Sequence, residues 1–330
     1  MIQLAPQQLV NTGPDTALVR YLTKSRFKLA MECPTKLFYT GKSETYKNTK
    51  GQNEFLESLA EGGFQVGKMA TLLYPNGIEV QARKNQQAIE DTKKLLNTKD
   101  DIVLFEPAFA FEGLLVRVDI FVKIGPSIEL IEVKAKSYDS ENPDFSGTRT
   151  PIKSNILPYI EDIAFQKHVV SSVFPEAAVK AFFIMPDKSV TAQTDGLNQC
   201  FRISDIKGRK TVKAIESAIQ QVEANSSLLK KISVDRYIDI VMENPLDYPG
   251  SKLGSGDYLP QRSKIWVSAY NNGIKIEPQL HKGCKNCEFR AQNDEPYKSG
   301  YHECVEQFTG LSRDEIDEGT VLDIWRYRKK

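Results

Sequence analysis

The sequence predicts an α/β fold in which helices flank a mixed central β-sheet. Three strand-like segments, DIVLFEPAFAF, LLVRVDIFVK and IELIEVKAKS, follow one another between residues 101 and 137. They are rich in the β-branched and aromatic side chains typical of strands. A helical segment over 155–173 comes next, and the apolar strand-like segment AVKAFFIMPDKS follows it. This order of elements is typical of a mixed sheet covered by helices.

The region before these strands is predicted to be mainly helical. A first helix is expected over 16–31, with Asp15 as its N-cap and Pro34 just beyond its end. A second helix is expected over 52–73. The stretch GIEVQARKNQQAIEDTKKLLNTKD then predicts a short strand followed by a helix.

The second half of the chain is predicted to be less regular. A linker rich in Ser, Asp and Pro covers 137–153, and a charged helix is expected over 207–231. Residues 235–330 show little periodicity, and 249–260 is rich in Gly, Ser and Pro. We therefore divide the chain into a core over 1–234, which includes the N-terminal helical region, and an irregular C-terminal segment that packs on the N-terminus.

The composition is that of a soluble globular protein. The 330 residues are 40% hydrophobic and 26% charged. The net charge of +1 excludes a uniformly basic protein of the kind that coats nucleic acid. No apolar run approaches the ~18–20 residues of a membrane span, and the N-terminus lacks the pattern of a secretory signal. We expect a cytoplasmic protein with no membrane partner. In that compartment the five cysteines are expected to be metal ligands or free thiols.

Positive charge is concentrated near the N-terminus. Residues 1–50 contain eight Lys and Arg against three Asp and Glu. The closely spaced cations are Arg20, Lys24, Arg26, Lys28 and Lys36. Such a cluster suits the phosphates of a nucleic acid, and it is equally consistent with a solvated helix face.

The segment VRVDIFVKIGPSIELIEVKAKS places charged residues on a hydrophobic hairpin. Strand side chains alternate between the two faces of a sheet. Asp119 in the first strand and Glu132 and Lys134 in the second therefore lie on the face opposite the apolar residues. Because the apolar face is held against the core, the hairpin gathers two carboxylates and an ammonium on one side.

This group of residues has the chemistry of a magnesium site. Magnesium binds through one or two carboxylates together with substrate phosphate and water. Asp119 and Glu132 can supply the carboxylates, and the carbonyl of Val133 can add a third oxygen. Such a metal polarises a phosphate and acidifies a bound water, while Lys134 can orient that water. The alternative is a cross-strand ion pair of Glu132 with Lys134 or Arg117.

Four of the five cysteines form a second candidate site, whose members are Cys33, Cys284, Cys287 and Cys304. Four thiolates match the ligand count of a four-iron cluster or of a zinc site. The three C-terminal cysteines with His281 or His302 would by themselves indicate zinc. With Cys33 included, the set connects the two ends of the chain. Cys200 has no partner by spacing and is predicted to be a core residue.

With these motifs, the chain resembles the PD-(D/E)xK nuclease superfamily, in particular the RecB-like branch that carries an iron–sulfur cluster. That branch includes the Cas-four-type exonucleases of CRISPR adaptation and the AddB-type nuclease of helicase–nuclease complexes. The matching motifs are Ser-x7-Cys-Pro at 25–34, Asp119, Glu132-Val133-Lys134, DIAFQKHVV around Gln166, and the C-terminal cysteines. The resemblance implies a restriction-endonuclease-like sheet flanked by helices, with the C-terminal cysteine-bearing segment joined to the N-terminal helix.

The resemblance also implies roles for individual residues. Asp119 and Glu132 would bind Mg²⁺ or Mn²⁺, and Lys134 would serve the attacking water. Gln166 matches the family's helical glutamine motif, although most helix glutamines are simply solvated. Asp162, one turn earlier on the same face, is expected to be a surface residue.

The same family places a four-iron cluster on one N-terminal and three C-terminal cysteines. This implies Cys33, Cys284, Cys287 and Cys304 as its ligands here. The 16 residues between Cys287 and Cys304 exceed the usual spacing, which leaves zinc, or His302 as a ligand, as alternatives.

One departure concerns the catalytic metal. Many relatives carry a metal-binding His in a Gly-x-x-His pattern on the second helix, where this chain has Ala70 in GKMA. The metal would then have fewer protein ligands or use a carboxylate such as Glu57, Glu61 or Glu106.

Together these features predict a divalent-metal-dependent DNA nuclease. The resemblance implies an exonuclease acting on single strands or DNA ends, in DNA processing, repair or antiviral defence. The chain contains no ATPase or helicase motif, so strand separation would come from a helicase or another defence or repair protein. The missing histidine favours the competing interpretation, a catalytically inactive nuclease-fold module that binds DNA within a partner complex.

Overall fold

The computed structural model of the protein describes residues 20–50, 54–205, 210–215, 217–292 and 295–324. These residues form two compact units. Unit 1 contains the described residues within Glu54–Glu243, and unit 2 contains those within Leu18–Asn53 and Asn244–Lys330. The predicted division after residue 234 differs from this arrangement, because Leu18–Asn53 groups with the C-terminal residues instead of the core.

The secondary-structure elements are numbered in chain order. The helices are α1 (Lys24–Glu32), α2 (Lys36–Tyr39), α3 (Glu54–Leu72), α4 (Asn85–Leu96), α5 (Leu157–Val173), α6 (Ala218–Ala224), α7 (Asp235–Glu243), α8 (Leu259–Asn271), α9 (Gly300–Thr309) and α10 (Arg313–Asp317). The strands are β1 (Leu22–Thr23), β2 (Ile78–Glu79), β3 (Ile102–Phe105), β4 (Ala108–Phe111), β5 (Leu114–Arg117), β6 (Ile120–Ile124), β7 (Ser127–Val133), β8 (Ala178–Pro186), β9 (Phe201–Asp205), β10 (Lys210–Ala214) and β11 (Leu229–Ser233). In the ranges given above, no helix has the length and apolar character needed to cross a membrane.

Unit 1 is built on a six-stranded sheet with the strand order β11-β8-β7-β6-β3-β2. β7 runs parallel to β8, whereas β6 pairs antiparallel with both β3 and β7. Parallel neighbours need a crossover connection, and α5 supplies it between β7 and β8. The predicted α/β class, with a mixed sheet and flanking helices, is confirmed.

Different helices cover the two faces of this sheet. Ile120 and Ile131 are cross-strand partners, and both belong to an apolar cluster with Ala70 of α3. Because side chains alternate along a strand, Glu132 lies on the opposite face, where Gln166 of α5 contacts it. α3 therefore covers one face, and α5 covers the face that carries Glu132.

The predicted run of three strands is divided into five shorter strands, β3 to β7. Glu106, with a φ of +55°, and Pro107 separate β3 from β4. Glu112 and Gly113 both have positive φ, as in the tight turns of hairpins, and they join β4 to β5. β5 pairs with β4, while β6 pairs with β3 and β7. Asp119 therefore lies at the junction of two strands instead of inside one.

The prediction of one continuous helix over 207–231 is wrong, although the short helix α6 lies within this range. β10 lies in this region and pairs antiparallel with β9, and α6 and β11 follow it. Thr211 and Val212 are β-branched residues, which favour strands, and they pair with Ser204 and Ile203. Strand pairing therefore overrides the helical propensity of the neighbouring charged residues.

Unit 2 combines the helices α1, α2, α8, α9 and α10 with long irregular stretches such as 274–281, so the segment predicted to be irregular is partly helical. Phe27 of α1 and Trp266 of α8 are both fully buried, and their ring centroids lie 5.6 Å apart. The Thr23 hydroxyl caps α1 by accepting a hydrogen bond from the Arg26 amide at 3.4 Å. The predicted cap, Asp15, lies outside the described residues. The long-range aromatic contact explains why the first helix belongs with the C-terminal unit.

Candidate functional site

The β6–β7 hairpin brings Asp119 beside the part of β7 that carries Glu132. The ladder ends with Ile120 paired to Ile131, and Asp119 is the residue directly before β6. Asp119 is held there by a hydrogen bond, in which the Val133 amide donates to Asp119 Oδ2 at 2.7 Å. The turn between the strands contains Gly125 with a φ of +52°, a conformation that glycine adopts without strain.

Glu132 is a buried carboxylate with two polar partners. The residue is 2% exposed, and the Lys134 ammonium donates to Glu132 Oε1 at 2.6 Å. The Gln166 amide donates to Oε2 at 2.9 Å from α5. The structure thus brings together Glu132, Lys134 and Gln166, with Asp119 across the hairpin. The Glu132–Lys134 ion pair, which the sequence analysis gave as the alternative, is present. It is buried under α5 and does not lie on the surface.

Asp162 is a further charged residue of this site, and its prediction as a surface residue is wrong. It is 0% exposed, and its Oδ2 lies 3.2 Å from Lys134 Nζ. It stands on α5 one turn before Gln166, so both side chains reach the same strand. A sequence signal was available, because α5 is apolar around most of its circumference and a charge within such a helix must be paired. Lys134 is therefore held between two carboxylates, and its Nζ lies 5.2 Å from the Tyr159 ring centroid.

An apolar residue occupies the position of the family's metal-binding histidine. Ala70 is fully buried in the cluster that includes Ile120 and Ile131, so it supplies no ligand. The side chains of Glu57 and Glu61, two of the suggested substitutes, lie outside the described part of α3.

Glu106, the third suggested substitute, adjoins the site through its backbone. Its amide donates to the Asp119 carbonyl at 3.3 Å. Its side chain is 40% exposed and lies 3.8 Å from Arg117 Nε, while the Arg117 guanidinium also donates to the carbonyls of Val80 and Ala82. The positive φ of Glu106 is uncommon for a residue with a side chain, and such strained positions concentrate at functional sites.

The four cysteines of the second candidate site line one cavity in unit 2. Cys33 caps the C-terminus of α1, Cys304 lies on α9, and Cys284 and Cys287 lie on and directly after the 3₁₀ turn Lys282–Asn286. The cavity has a volume of about 310 Å³. Residues from both ends of the chain therefore line one space, while their binding of a cluster or of zinc stays a prediction.

Burial raises the pKa of three of the thiols that line the cavity. Burial raises the pKa of the Cys287 thiol to about 12, and burial also raises the pKa of Cys284 and Cys304. The Lys36 ammonium opposes this for Cys284 and Cys287. Lys36 is fixed at the cavity by Glu288 at 2.6 Å and by Glu32 at 3.1 Å. A metal that binds these sulfurs as thiolates must therefore displace protons.

Tyr39 is a contact of the cysteine site that sequence reasoning missed. Its hydroxyl lies 3.3 Å from Cys304 Sγ, and its ring packs against Tyr46 and Phe289 at centroid distances of 4.7 and 5.5 Å. A Cβ at Gly300 would come within 3.0 Å of the Tyr39 ring, so the glycine makes room for this contact. No local pattern links these residues, because they come from opposite ends of the chain.

The two histidines near the cysteines differ in their surroundings. His281 lines the cavity, and its Nδ1 accepts a hydrogen bond from the Gly283 amide at 3.2 Å. His302 has both ring nitrogens in hydrogen bonds, to Ser299 at 2.6 Å and to Asp317 at 2.9 Å. His302 thus serves the packing of α9, and His281 is the better placed of the two suggested ligands. Cys200 lies in an apolar cluster of unit 1, which confirms its prediction as a core residue.

In the described ranges, no group of three or more Asp, Glu, His and Cys side chains is arranged to hold a metal ion. Comparison with known proteins adds no assignment. No protein-family model matches the chain, and no curated protein matches it. Membership of the PD-(D/E)xK superfamily therefore stays a prediction that rests on the residues described above.

Proposed function

We propose that the protein is a divalent-metal-dependent DNA nuclease of the RecB-like PD-(D/E)xK type. The observation that supports this most directly is the buried Glu132 carboxylate, which Lys134 and Gln166 hold next to Val133, whose amide binds Asp119. Single strands or DNA ends are its proposed substrates. A helicase or another repair or defence protein in the cytoplasm is its proposed partner.

The burial of Glu132, Asp162 and Lys134 favours a catalytic role for these residues over a purely structural one. Desolvating an ion costs several kcal/mol, and apolar residues of similar size often stabilise a fold as well as a buried ion pair does. Here Glu132 and Asp162 are almost completely buried around the Lys134 ammonium. Buried charges with specific partners are common at catalytic sites, where they set the protonation and position of reacting groups.

The donor atoms fit a magnesium or manganese ion. Hard oxygen ligands suit these metals, and one or two carboxylates with substrate phosphate are a usual set. Asp119 and Glu132 would provide the carboxylates and Val133 a carbonyl, with Glu106 as an additional carboxylate close by. Each carboxylate oxygen can accept more than one bond, so the contacts of Glu132 to Lys134 and Gln166 are compatible with this role.

The protein side chains would then position the metal ligands and the attacking water. When bound, the metal polarises the scissile phosphate and lowers the pKa of a water. Gln166 fixes the rotamer of Glu132 by donating to Oε2. Lys134, held between Glu132 and Asp162, would donate to the attacking water or to a phosphate oxygen on which charge develops.

A four-iron cluster bound by Cys33, Cys284, Cys287 and Cys304 is the proposed occupant of the cysteine cavity. All four sulfur-bearing side chains line it, and its volume is about 310 Å³. A water molecule takes up about 30 Å³ of liquid volume, so the cavity has room for a group of several atoms. Zinc is the second candidate, because a single zinc ion binds four thiolates directly, at about 2.3 Å. The proposed role is structural, since the ligands hold α1, α9 and the 3₁₀ turn around one centre.

The test is cleavage of labelled single- and double-stranded DNA by the purified chain with Mg²⁺ or Mn²⁺. Asp119→Ala and Lys134→Ala are each expected to reduce the rate by about 10²–10³-fold or more, as the removal of a group that stabilises the transition state does. Asp239→Ala and Lys99→Ala change exposed residues of the same unit and serve as matched controls. Unchanged cleavage in both site variants would refute the site. DNA binding without cleavage under any metal would favour the inactive module.

A further inference from the structure

The Lys and Arg residues that lie close together in the N-terminal sequence do not share one environment in the structure. Lys36 is only 14% exposed and pairs with Glu288 and Glu32 beside the cysteine cavity, so it belongs to that site. Arg20 and Arg26 instead lie over the ring of Tyr270, a residue of α8. The surface formed by Arg20, Arg26 and Lys42, all within unit 2, is here termed the Tyr270 cation group.

The two arginines of this group are held on a rigid aromatic surface. Arg20 Cζ lies 4.1 Å and Arg26 Cζ 4.9 Å from the Tyr270 ring centroid, and Tyr270 is 3% exposed. Arg26 Nη1 also donates to the Tyr21 carbonyl at 2.9 Å. Cation–π contacts fix a guanidinium while its N–H donors stay available in the plane of the group. The arginines are therefore pre-organised to bind an acceptor.

Lys42 joins these arginines through the turn at Gly41. Gly41 has a φ of +77°, and a Cβ there would lie 3.5 Å from Arg20 Nη2 and 3.7 Å from the Tyr270 hydroxyl. The turn thus brings the following residue close to the arginine pair. Lys42 Nζ lies 3.1 Å from the Phe38 ring centroid. Burial, and after it the charge of Arg20, lowers the pKa of Lys42, which agrees with crowding of like charges.

The described residues supply little negative charge to this group. In the described part of the chain, none of the three cations forms an ion pair within 4.0 Å of a carboxylate. Glu303 is close enough to act on the charge of Lys42. That carboxylate, however, also accepts from the Tyr46 hydroxyl at 2.9 Å and lies 3.8 Å from Lys275. Among the described residues, the repulsion between Arg20 and Lys42 is thus only partly offset.

We infer that Arg20, Arg26 and Lys42 form a binding subsite for a phosphate group of a nucleic-acid strand. A phosphodiester carries one negative charge on two oxygens that accept hydrogen bonds, which matches guanidinium donors held in a fixed plane. Its binding relieves the repulsion that the fold imposes on these residues. The choice of a nucleic-acid strand as the source of the phosphate rests on the proposed function, whereas the anion chemistry rests on the cation group itself.

The test is the salt dependence of strand binding without cleavage. A fluorescent oligothymidylate is titrated with the full chain in EDTA over a series of KCl concentrations. Each phosphate contact on a single strand contributes about 0.7 to the slope of log affinity against log salt concentration. The double variant Arg20→Gln and Arg26→Gln is expected to bind several-fold more weakly at low salt and to show a slope shallower by about that amount. Arg26→Lys, which keeps the charge, is expected to retain most of the slope.

Lys99→Gln removes one charge from an exposed position in unit 1 and is the matched control. Equal affinity and slope for the wild type, the double variant and this control would overturn the subsite and leave an acidic protein segment as the ligand class to test. Failure of the wild type to bind the strand at low salt would also overturn it. Cleavage is measured separately with Mg²⁺. A chain that binds through these arginines but cuts no DNA would refute the proposed nuclease and support the subsite.

Discussion

Asp162 provides the most specific test of how the candidate active site is assembled. The Lys134 ammonium lies 2.6 Å from Glu132 and 3.2 Å from Asp162, and the side chains of the two acids are 3% and 0% exposed. Asp162→Asn keeps the shape of the side chain but removes one charge. Breaking a buried ion pair completely costs about 3–5 kcal/mol. Because Glu132 remains as a partner, we expect a loss of about 1–3 kcal/mol in the free energy of unfolding.

The same substitution is expected to act on catalysis through Lys134. Residues that orient a catalytic group without touching substrate typically contribute about 10–100-fold to activity. We therefore expect Asp162→Asn to lower kcat by about that factor while KM for DNA stays nearly unchanged. Rates are measured at saturating labelled DNA with Mg²⁺, and stability is measured by urea unfolding of the same preparation.

The control is Asp239→Asn, which removes a carboxylate from an exposed position on α7. If Asp162→Asn loses stability but cleaves as fast as this control, Asp162 serves only the packing of α5. If neither stability nor cleavage changes, the buried contact between Asp162 and Lys134 is refuted. A rise in KM with unchanged kcat would place the effect on DNA binding instead of on the reaction step.

Two predictions concern the cysteine cavity. Protein purified without oxygen is expected to be brown, and Cys33→Ala to lose both colour and solubility, whereas Cys200→Ala loses neither. A colourless preparation with stoichiometric zinc would show that the bound metal is zinc and not iron. Full metal content in Cys33→Ala would refute the four-ligand site. Tyr39→Phe removes the hydroxyl that lies 3.3 Å from Cys304 Sγ. With the proposed iron–sulfur cluster in the cavity, this change is expected to lower its reduction potential, because hydrogen bonds to sulfur favour the reduced state. An unchanged potential, equal to that of the control Tyr46→Phe, would contradict this.

Much of the candidate site followed from local rules. The period of two along a strand and the Gly-Pro-Ser turn predicted that Asp119, Glu132 and Lys134 lie close together on the hairpin, and Lys134 contacts Glu132 in the structure. The helix that carries Gln166 was predicted to within two residues of its observed start at Leu157. These features depend on alternation, turn chemistry and helix periodicity, which operate over a few residues and are visible in a single sequence.

Other features depended on long-range contacts. The apolar surroundings of Asp162 on α5 indicate that its charge needs a partner, but only the packing of α5 on the sheet determines that this partner is Lys134. The N-terminal cations likewise look equivalent in sequence, yet Lys36 faces the cysteine cavity while Arg20 and Arg26 lie on Tyr270. The identity of each partner has no local signal, because the partner lies far away in the chain.

The sequence by itself determined the α/β class, the acidic hairpin and the order of the cysteines, since hydrophobic period and residue chemistry are local properties. The tertiary structure alone decided where the predicted strands break, which segment β10 pairs with, and that Leu18–Asn53 belongs with the C-terminal unit. Strand partners and burial are chosen by the total free energy of packing. Many of the contacts that contribute to this free energy join residues far apart in the chain. The local hydrophobic period does not reveal which residues these contacts join.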